Sequence, residues 1–163
     1  MPRLAIFIVG VLVGTAMATG VAQGPQGNQD AVVGINHVAI VVEDMEEAIA
    51  FYRDEMGFPE AFRMTNEQGE PTLVYMQVSR GTFVELNPVT PQRQPGFRHF
   101  GLETSNIDVT AARLTERGVD VSSPNLSRTN SMLANFTTPH GIQIEIVDPR
   151  PGSLHRQAME SWE

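Results

Sequence analysis

The stretch Gly81-Thr82-Phe83-Val84-Glu85 decides the fold, because it recurs 60 residues later as Gly141-Ile142-Gln143-Ile144-Glu145. A histidine lies in an apolar run upstream of each copy, and these two residues, His37 and His99, are 62 positions apart. Self-similarity at a fixed period is the mark of a repeated supersecondary unit. The sequence therefore predicts two copies of one unit that share a core.

The segments around each copy predict the same order of elements. Residues 35–42 form an apolar, β-rich run, and Asp44 precedes an amphipathic helix over residues 45–56 that ends at Gly57. The second copy has its helix after Asn106 or Asp108, ending at Gly118. The predicted strands are 35–42, 60–65, 72–78 and 82–87, then 97–103, 119–123, 131–137 and 141–147. This pattern is typical of an α+β protein made of two βαβββ modules.

The ends of the chain differ in composition from the modules. Arg3 precedes a short apolar run and then small residues up to Ala22, as in a secretory signal peptide. An uncleaved N-terminal anchor is the alternative, although the run is short and glycines interrupt it. The predicted organisation is a signal peptide (1–22), a linker (23–33), a first module (34–90), a second module (96–148) and a tail with a short helix (149–163). We therefore expect an exported protein, periplasmic or secreted, that meets the membrane only in transit.

Composition narrows the function. The chain has 163 residues and a formal net charge of -8, from 11 basic and 19 acidic residues. Such a protein repels phosphate backbones, so a nucleic-acid partner is not expected. It has no cysteine, which excludes disulfides, thiolate ligands and a cysteine nucleophile. Any metal must therefore be held by His, Asp or Glu.

Each predicted module contributes one histidine from its first strand and one glutamate from its last. Strand alternation places Glu85 on the face of Phe83 and Asn87, and Glu145 on the face of Gln143. An ionisable residue inside an apolar strand is costly when it is buried and unpaired, and a shared cation would remove that cost. A site of His37, Glu85, His99 and Glu145 suits one divalent Zn, Ni, Mn, Co or Fe ion without choosing among them.

The sequence resembles the vicinal-oxygen-chelate superfamily, which includes glyoxalase I, extradiol dioxygenases, methylmalonyl-CoA epimerase and the bleomycin- and fosfomycin-resistance proteins. The resemblance covers about residues 34–148. It implies a cupped, mostly antiparallel sheet with helices on its outer face. It rests on Asn36-His37-Val38-Ala39-Ile40, Asp44 through Phe58, Phe83-Val84-Glu85-Leu86, Arg98-His99-Phe100-Gly101-Leu102 and Pro139 through Glu145.

Within the superfamily, the His/Glu/His/Glu set most resembles glyoxalase I. That resemblance implies that the four residues ligate the metal and that Glu145 is also the catalytic base, in an isomerase or lyase reaction through an enediolate. The substrate would be a small molecule with vicinal oxygens. Another metalloenzyme activity, such as ring cleavage or epimerisation, and a metal-free protein that sequesters a small molecule are the alternatives.

The sequence also suggests roles for residues outside the set of four ligands. Four are candidate substrate-binding residues: Arg63, Tyr75, Asn87 and Gln143. His155 in the tail is expected to be solvated, and Trp162 to pack the tail helix. We expect a homodimer, because paired-module relatives commonly form one, and the sequence leaves open whether the modules pair within one chain or across a dimer.

Overall fold

A computed structural model of the protein describes residues 32–163, which form one eight-stranded sheet and three helices. The predicted signal peptide and most of the predicted linker lie outside the described residues. The α+β class predicted from the sequence is confirmed. In chain order the elements are β1 (Val32–Val42), α1 (Met45–Ala50), β2 (Glu60–Thr65), β3 (Pro71–Ser79), β4 (Thr82–Pro88), β5 (Gly96–Thr104), α2 (Ile107–Glu116), β6 (Asn125–Leu126), β7 (Met132–Thr137), β8 (Gln143–Asp148) and α3 (Leu154–Ser161).

The two modules join edge to edge within one chain. The strand order is β2-β3-β4-β1-β5-β8-β7-β6, so β1 of the first module pairs with β5 of the second. The β1–β4 and β5–β8 pairs are parallel and the other pairs are antiparallel. Of the two arrangements that the sequence leaves open, the structure therefore has the one in which a single chain completes the cupped sheet.

The first helix differs in its last turns from the prediction over residues 45–56. Asp44 caps it by accepting from the backbone N–H of Glu47, but the regular α-helix ends at Ala50. The chain then continues as a π-helical turn over Phe51–Glu55, in which the N–H of Met56 donates to the carbonyl of Phe51. Gly57 follows with φ +71°, a conformation that glycine adopts without strain, and this ends the helix as predicted.

The prediction of a strand over residues 119–123 is wrong. The only paired segment between α2 and β7 is β6, which has two residues. Before β6, the backbone N–H of Ser122 donates to the carbonyl of Asn135 on β7. The N–H of Asn135 donates to the side-chain oxygen of Ser122 and not to a backbone carbonyl, so a regular strand pairing does not form here. Pro124, two residues after Ser122, has no N–H to donate.

Two faces of the sheet are covered in different ways. On the outer face, α1 packs through Ile49 against Val74, Met76 and Leu86, and α2 packs through Ile107 against the second module. The expectation of helices on the outer face is confirmed for these two. The third helix instead lies on the inner face, where Ala158 packs with Leu73, Tyr75 and Phe83. Strand alternation makes this the face that carries Glu85.

Helix α3 bridges the two modules. Its first residue, Leu154, donates its N–H to the carbonyl of Thr129 in the second module. Near its end, the carbonyl of Ala158 accepts from Gln77 Nε2 in the first module at 3.2 Å. The tail is thus an integral part of the cup. Within residues 32–163, no helix combines the length and apolarity that crossing a membrane requires.

Candidate metal centre

The register of the sheet brings His37 and Glu145 to either side of a glycine. His37 on β1 pairs with Gly101 on β5, and Gly101 pairs in turn with Glu145 on β8. A Cβ at position 101 would lie 2.3 Å from Cε1 and 2.5 Å from Nδ1 of His37. The His37 ring therefore occupies the space that any other residue at position 101 would fill.

The other two candidate ligands flank a second small residue. Ala39 on β1 pairs with His99 on β5 and with Glu85 on β4. Ala39 is fully buried, and its methyl group leaves room above the strand for the longer side chains on both sides. Both modules thus use a small residue between two ligands, and the two sets converge across the β1–β5 pair.

The four ligand atoms form a compact group within 4.8 Å of one another. The Nε2 atom of His37 lies 3.0 Å from Nε2 of His99, 3.4 Å from Glu85 Oε2 and 3.6 Å from Glu145 Oε2. The Nε2 atom of His99 lies 3.8 Å and 3.5 Å from the same two oxygens. Two donors that are each about 2.1 Å from one cation are themselves about 3.0–3.4 Å apart. The four residues therefore fit a divalent transition metal.

A chain of hydrogen bonds orients the His37 ring. Its Nδ1 lies 3.0 Å from Oδ1 of Asn36, whose Nδ2 donates to Glu103 at 3.4 Å. Because the amide oxygen can only accept, Nδ1 carries the proton and Nε2 offers its lone pair to the centre. Burial lowers the pKa of His37 more than Glu85 and Glu145 raise it, so the ring is a neutral ligand.

Glu85 is held rigidly. The Tyr75 hydroxyl donates to its Oε2, and Asn87 Nδ2 donates to its Oε1 at 2.7 Å. Its side chain is 5% exposed, and Arg98 lies 4.0 Å away. Burial and the neighbouring Glu85 charge raise the pKa of Tyr75 well above its usual value, so this phenol stays protonated and keeps donating. Both carboxylate oxygens of Glu85 are thus engaged by neutral donors.

Glu145 has a different setting. Its side chain is 15% exposed, and its Oε2 lies 3.6 Å from Nε2 of His37 and 3.5 Å from Nε2 of His99. Burial alone would raise the pKa of Glu145. The hydrogen bond with His99, together with the charges of His99, His37 and Arg98, outweighs burial and places the pKa below its usual value. Glu145 is therefore a carboxylate that faces the cavity.

The two histidines also differ in the hydrogen bonding of Nδ1, the ring nitrogen that faces away from the other candidate ligands. Whereas Nδ1 of His37 bonds to Asn36, Nδ1 of His99 is buried with no hydrogen-bond partner in the described part of the chain. Metal-bound histidines usually donate this second N–H to an acceptor that orients the ring. The orientation of the His99 ring thus depends on packing, whereas that of the His37 ring depends on its hydrogen bond to Asn36.

The predicted substrate-binding residues have different locations. Tyr75 and Asn87 line a cavity of about 420 Å³ beside the ligands, but both bond to Glu85. Gln143 lies at a neighbouring surface hollow and donates to Asn135 at 3.4 Å. Arg63 lies on β2 and is exposed, in an ion pair with Glu60. The structure therefore brings Tyr75 and Asn87 to the centre as supports of a ligand, and it leaves Arg63 outside the cavity.

Sequence reasoning missed three residues of this site. Asn36 and Arg98 each precede a ligand histidine, and this adjacency was the signal that could have identified them. His155 was expected to be solvated, and this expectation is wrong. Its side chain is 1% exposed and lines the cavity, because α3 folds back onto the inner face of the sheet. No local pattern around His155 predicts that contact.

The chain belongs to the Glyoxalase/Bleomycin resistance protein/Dioxygenase superfamily, whose family model matches residues 34–146. This confirms the vicinal-oxygen-chelate resemblance stated from the sequence. No curated protein matches the chain.

Solved structures share the fold. Methylmalonyl-CoA epimerase from Mycobacterium tuberculosis has a TM-score of 0.61 at 23% identity, over 74% of this chain and 90% of the epimerase. A variant of the Streptomyces coelicolor epimerase in complex with 2-nitronate-propionyl-CoA has a TM-score of 0.60 at 22% identity, over 75% and 98%. A hypothetical protein from Bacillus halodurans C-125 has a TM-score of 0.61 at 15% identity, over 73% and 96%. At these identities the likeness shows the fold alone.

The glycine opposite His37 generates the first prediction. In Gly101→Ala the new methyl group displaces the His37 ring, so metal affinity falls by at least about 10–100-fold. Isothermal titration with Zn²⁺ measures this change. Gly34→Ala is the matched control, because Gly34 also lies in a strand and a methyl group added there would have no neighbour within 4 Å. Equal Zn²⁺ affinity in the two variants would contradict the role assigned to Gly101.

The hydrogen-bond chain to His37 generates the second prediction. In Asn36→Ala the ring loses the acceptor that fixes its Nδ1 proton, and we expect metal affinity to fall by about 10–100-fold. Competition with a Zn²⁺ chelator measures the affinity, and the exposed Asn125→Ala variant is the control. Unchanged affinity in Asn36→Ala, with the fold intact by circular dichroism, would show that packing alone orients His37.

Proposed function

We propose that the protein is a divalent-metal-dependent enzyme that moves a proton between carbons beside a carbonyl, in the manner of glyoxalase I. The substrate would be a small molecule with vicinal oxygens. The observation that carries this proposal is the convergence of four donors, from His37, Glu85, His99 and Glu145. Membership of a superfamily that includes glyoxalases supports it. When bound, the metal supplies Lewis acidity that polarises a carbonyl oxygen and acidifies the neighbouring C–H bond.

The two glutamates are suited to different roles. Glu85 is tied by Tyr75 and Asn87, so it is a fixed ligand. The side chain of Glu145 is more exposed, at 15% against 5% for Glu85. Glu145 would be one of the residues that hold the metal, and its more exposed carboxylate can accept a proton from the substrate and return it to the adjacent carbon. A positioned carboxylate of this kind is a usual general base.

The cavity beside the ligands has the size and polarity for a small substrate. It measures about 420 Å³, within the usual range of about 300–1,000 Å³ for ligand sites. Glu85 and Glu145 lie on its wall with three arginines, Arg93, Arg98 and Arg128. Guanidinium groups bind carboxylates through paired hydrogen bonds, so an oxygen-rich substrate is favoured over an apolar one.

Epimerisation is the second candidate, because structures of methylmalonyl-CoA epimerase share this fold. It uses the same proton abstraction but returns the proton to the opposite face of the same carbon. Ring cleavage and sequestration have less support. Oxygenases with non-haem iron typically have two histidines and one carboxylate, whereas four donors converge in this protein. A metal-free sequestering protein would leave the buried carboxylate of Glu85 beside that of Glu145 without a cation, which is costly.

The central prediction concerns metal content and proton exchange. We expect about one tightly bound transition metal per chain by plasma mass spectrometry, lost in the His99→Ala, Glu145→Gln double variant. In the metal-loaded protein, Glu145→Gln alone should slow exchange of the substrate C–H with D₂O by about 10²–10⁴-fold. Proton NMR follows this exchange with the hemithioacetal of methylglyoxal and glutathione and, separately, with methylmalonyl-CoA.

The exposed Glu67→Gln variant is the matched control and should exchange at the wild-type rate. Exchange with the hemithioacetal supports the glyoxalase I-like reaction, and exchange with methylmalonyl-CoA alone supports the epimerase. A native protein that takes up no metal after incubation with Ni²⁺, Zn²⁺, Mn²⁺, Co²⁺ and Fe²⁺ would overturn both and leave the sequestering protein.

We also propose that the protein is exported and forms a homodimer. The N-terminal composition supports export. Exposed apolar side chains near the start of β1, Val33 (58%) and Ile35 (53%), support a partner subunit that would cover them. Expression of the full chain with cell fractionation, followed by light scattering on the purified protein, tests both. A cytosolic location or a monomer at micromolar concentration would contradict the corresponding proposal.

A further inference from the structure

His155 is a buried histidine outside the ligand set. It lies in the first turn of α3, after the cap residue Ser153, whose side chain accepts from the N–H of Arg156. Three aromatic rings surround it: those of Tyr75, Phe62 and Phe83, at centroid distances of 4.7, 5.0 and 5.6 Å. The imidazole is therefore held in one place by packing.

Within the described part of the chain, one of its two ring nitrogens has a hydrogen-bond partner and the other has none. Nδ1 lies 3.0 Å from the buried hydroxyl of Ser131. Nε2 is buried and has no hydrogen-bond partner in residues 32–163. Buried polar groups nearly always have a partner, and an exception calls for a functional explanation. A phenylalanine at position 155 would pack among the same aromatic rings without the cost of burying an unpaired nitrogen. A histidine at this position therefore calls for a role.

The location of His155 supplies that explanation. It lines the same cavity as Glu85 and Glu145, and its ring lies 6.4 Å from that of His37 between centroids. Its nitrogens do not belong to the group of converging ligand atoms. The residue is thus close enough to touch a small molecule held at the candidate metal centre, and it is not itself a ligand.

We propose that His155 is a substrate-binding residue, whose Nε2 makes a hydrogen bond to a compact, oxygen-rich anion held between the candidate metal centre and Arg93, Arg98 and Arg128. This inference rests on the proposed function for the presence of a substrate in the cavity. Burial, with a smaller contribution from His37, lowers the pKa of His155 to about 3. The ring is therefore neutral and binds through a hydrogen bond, while the arginines supply the positive charge.

The orientation of α3 makes this role possible. The N–H of Leu154 bonds to the carbonyl of Thr129, and the ring of His155 bonds to Ser131. Both partners belong to the turn before β7, so the start of the helix is anchored on the second module. The Ala158 carbonyl is anchored on Gln77 of the first module. His155 therefore has a fixed position above the junction of the modules, where the ligands converge.

Oxalate is a suitable probe, since it is a compact anion with vicinal oxygens. Two variants distinguish the roles of the two ring nitrogens of His155. In His155→Asn the shorter amide side chain can replace the hydrogen bond of Nδ1 only, and in His155→Gln the longer one can replace that of Nε2. With the Co²⁺-loaded protein, we expect His155→Asn to weaken oxalate binding by about tenfold, the effect of one hydrogen bond, and His155→Gln to bind nearly as the wild type does. Visible absorption of Co²⁺ gives the binding constant, and Co²⁺ content is checked after each titration.

A second measurement reports on the residue directly. Nitrogen-15 NMR of the wild-type protein should show a shift of the His155 Nε2 resonance on oxalate addition, with Nδ1 nearly unchanged. Wild-type protein that takes up neither Co²⁺ nor any of Ni²⁺, Zn²⁺, Mn²⁺ and Fe²⁺ would contradict the proposed function. Co²⁺-loaded protein that binds no oxalate, or binds it equally well in His155→Asn and the wild type, would overturn the inference about His155 alone.

Discussion

The burial of two carboxylates beside two imidazoles, at the point where the modules meet, is the constraint on which the rest of the structure depends. Glu85 and Glu145 bring negative charge into a site where water screens it little, and each carboxylate lies within 4 Å of the rings of both His37 and His99. Charges in such a place are retained only when they are paired or bind a cation. The pairing of β1 with β5 is what brings these groups together, so the centre and the junction between the modules are one feature.

Much of this centre could be predicted from the sequence, because strand alternation and an internal repeat act locally. The spacing of His37 and His99 and of Glu85 and Glu145 was sufficient to propose four ligands on one face, and the structure brings all four together. The pairing of β1 with β5 could not be predicted, since nothing local distinguishes a strand that pairs within its chain from one that pairs across a dimer. The location of His155 was missed for the same reason, as it depends on a long-range contact of α3.

The differences between the modules are as informative as their likeness. Asn36 precedes the first ligand histidine and orients it, whereas Arg98 precedes the second and points to Asn87. Tyr75 pairs with Glu85 in the sheet and donates to it, whereas the residue paired with Glu145 is Asn135. The first module therefore provides two ligands that are held by hydrogen bonds from neighbouring side chains, and the second module provides two ligands with fewer such bonds. A centre with one rigid side and one freer side is suited to holding a cation while a carboxylate exchanges protons.

Helix α3 extends this asymmetry to the cavity. It packs on the inner face of the first module, against Tyr75 and Phe83, and its residue His155 lines the cavity beside Glu85. The arginines and both glutamates line this cavity, and Glu145 is the more exposed of the two carboxylates. The tail, which lies beyond the family-matched residues 34–146, thus gives this chain a cavity shape that the repeated modules alone do not determine.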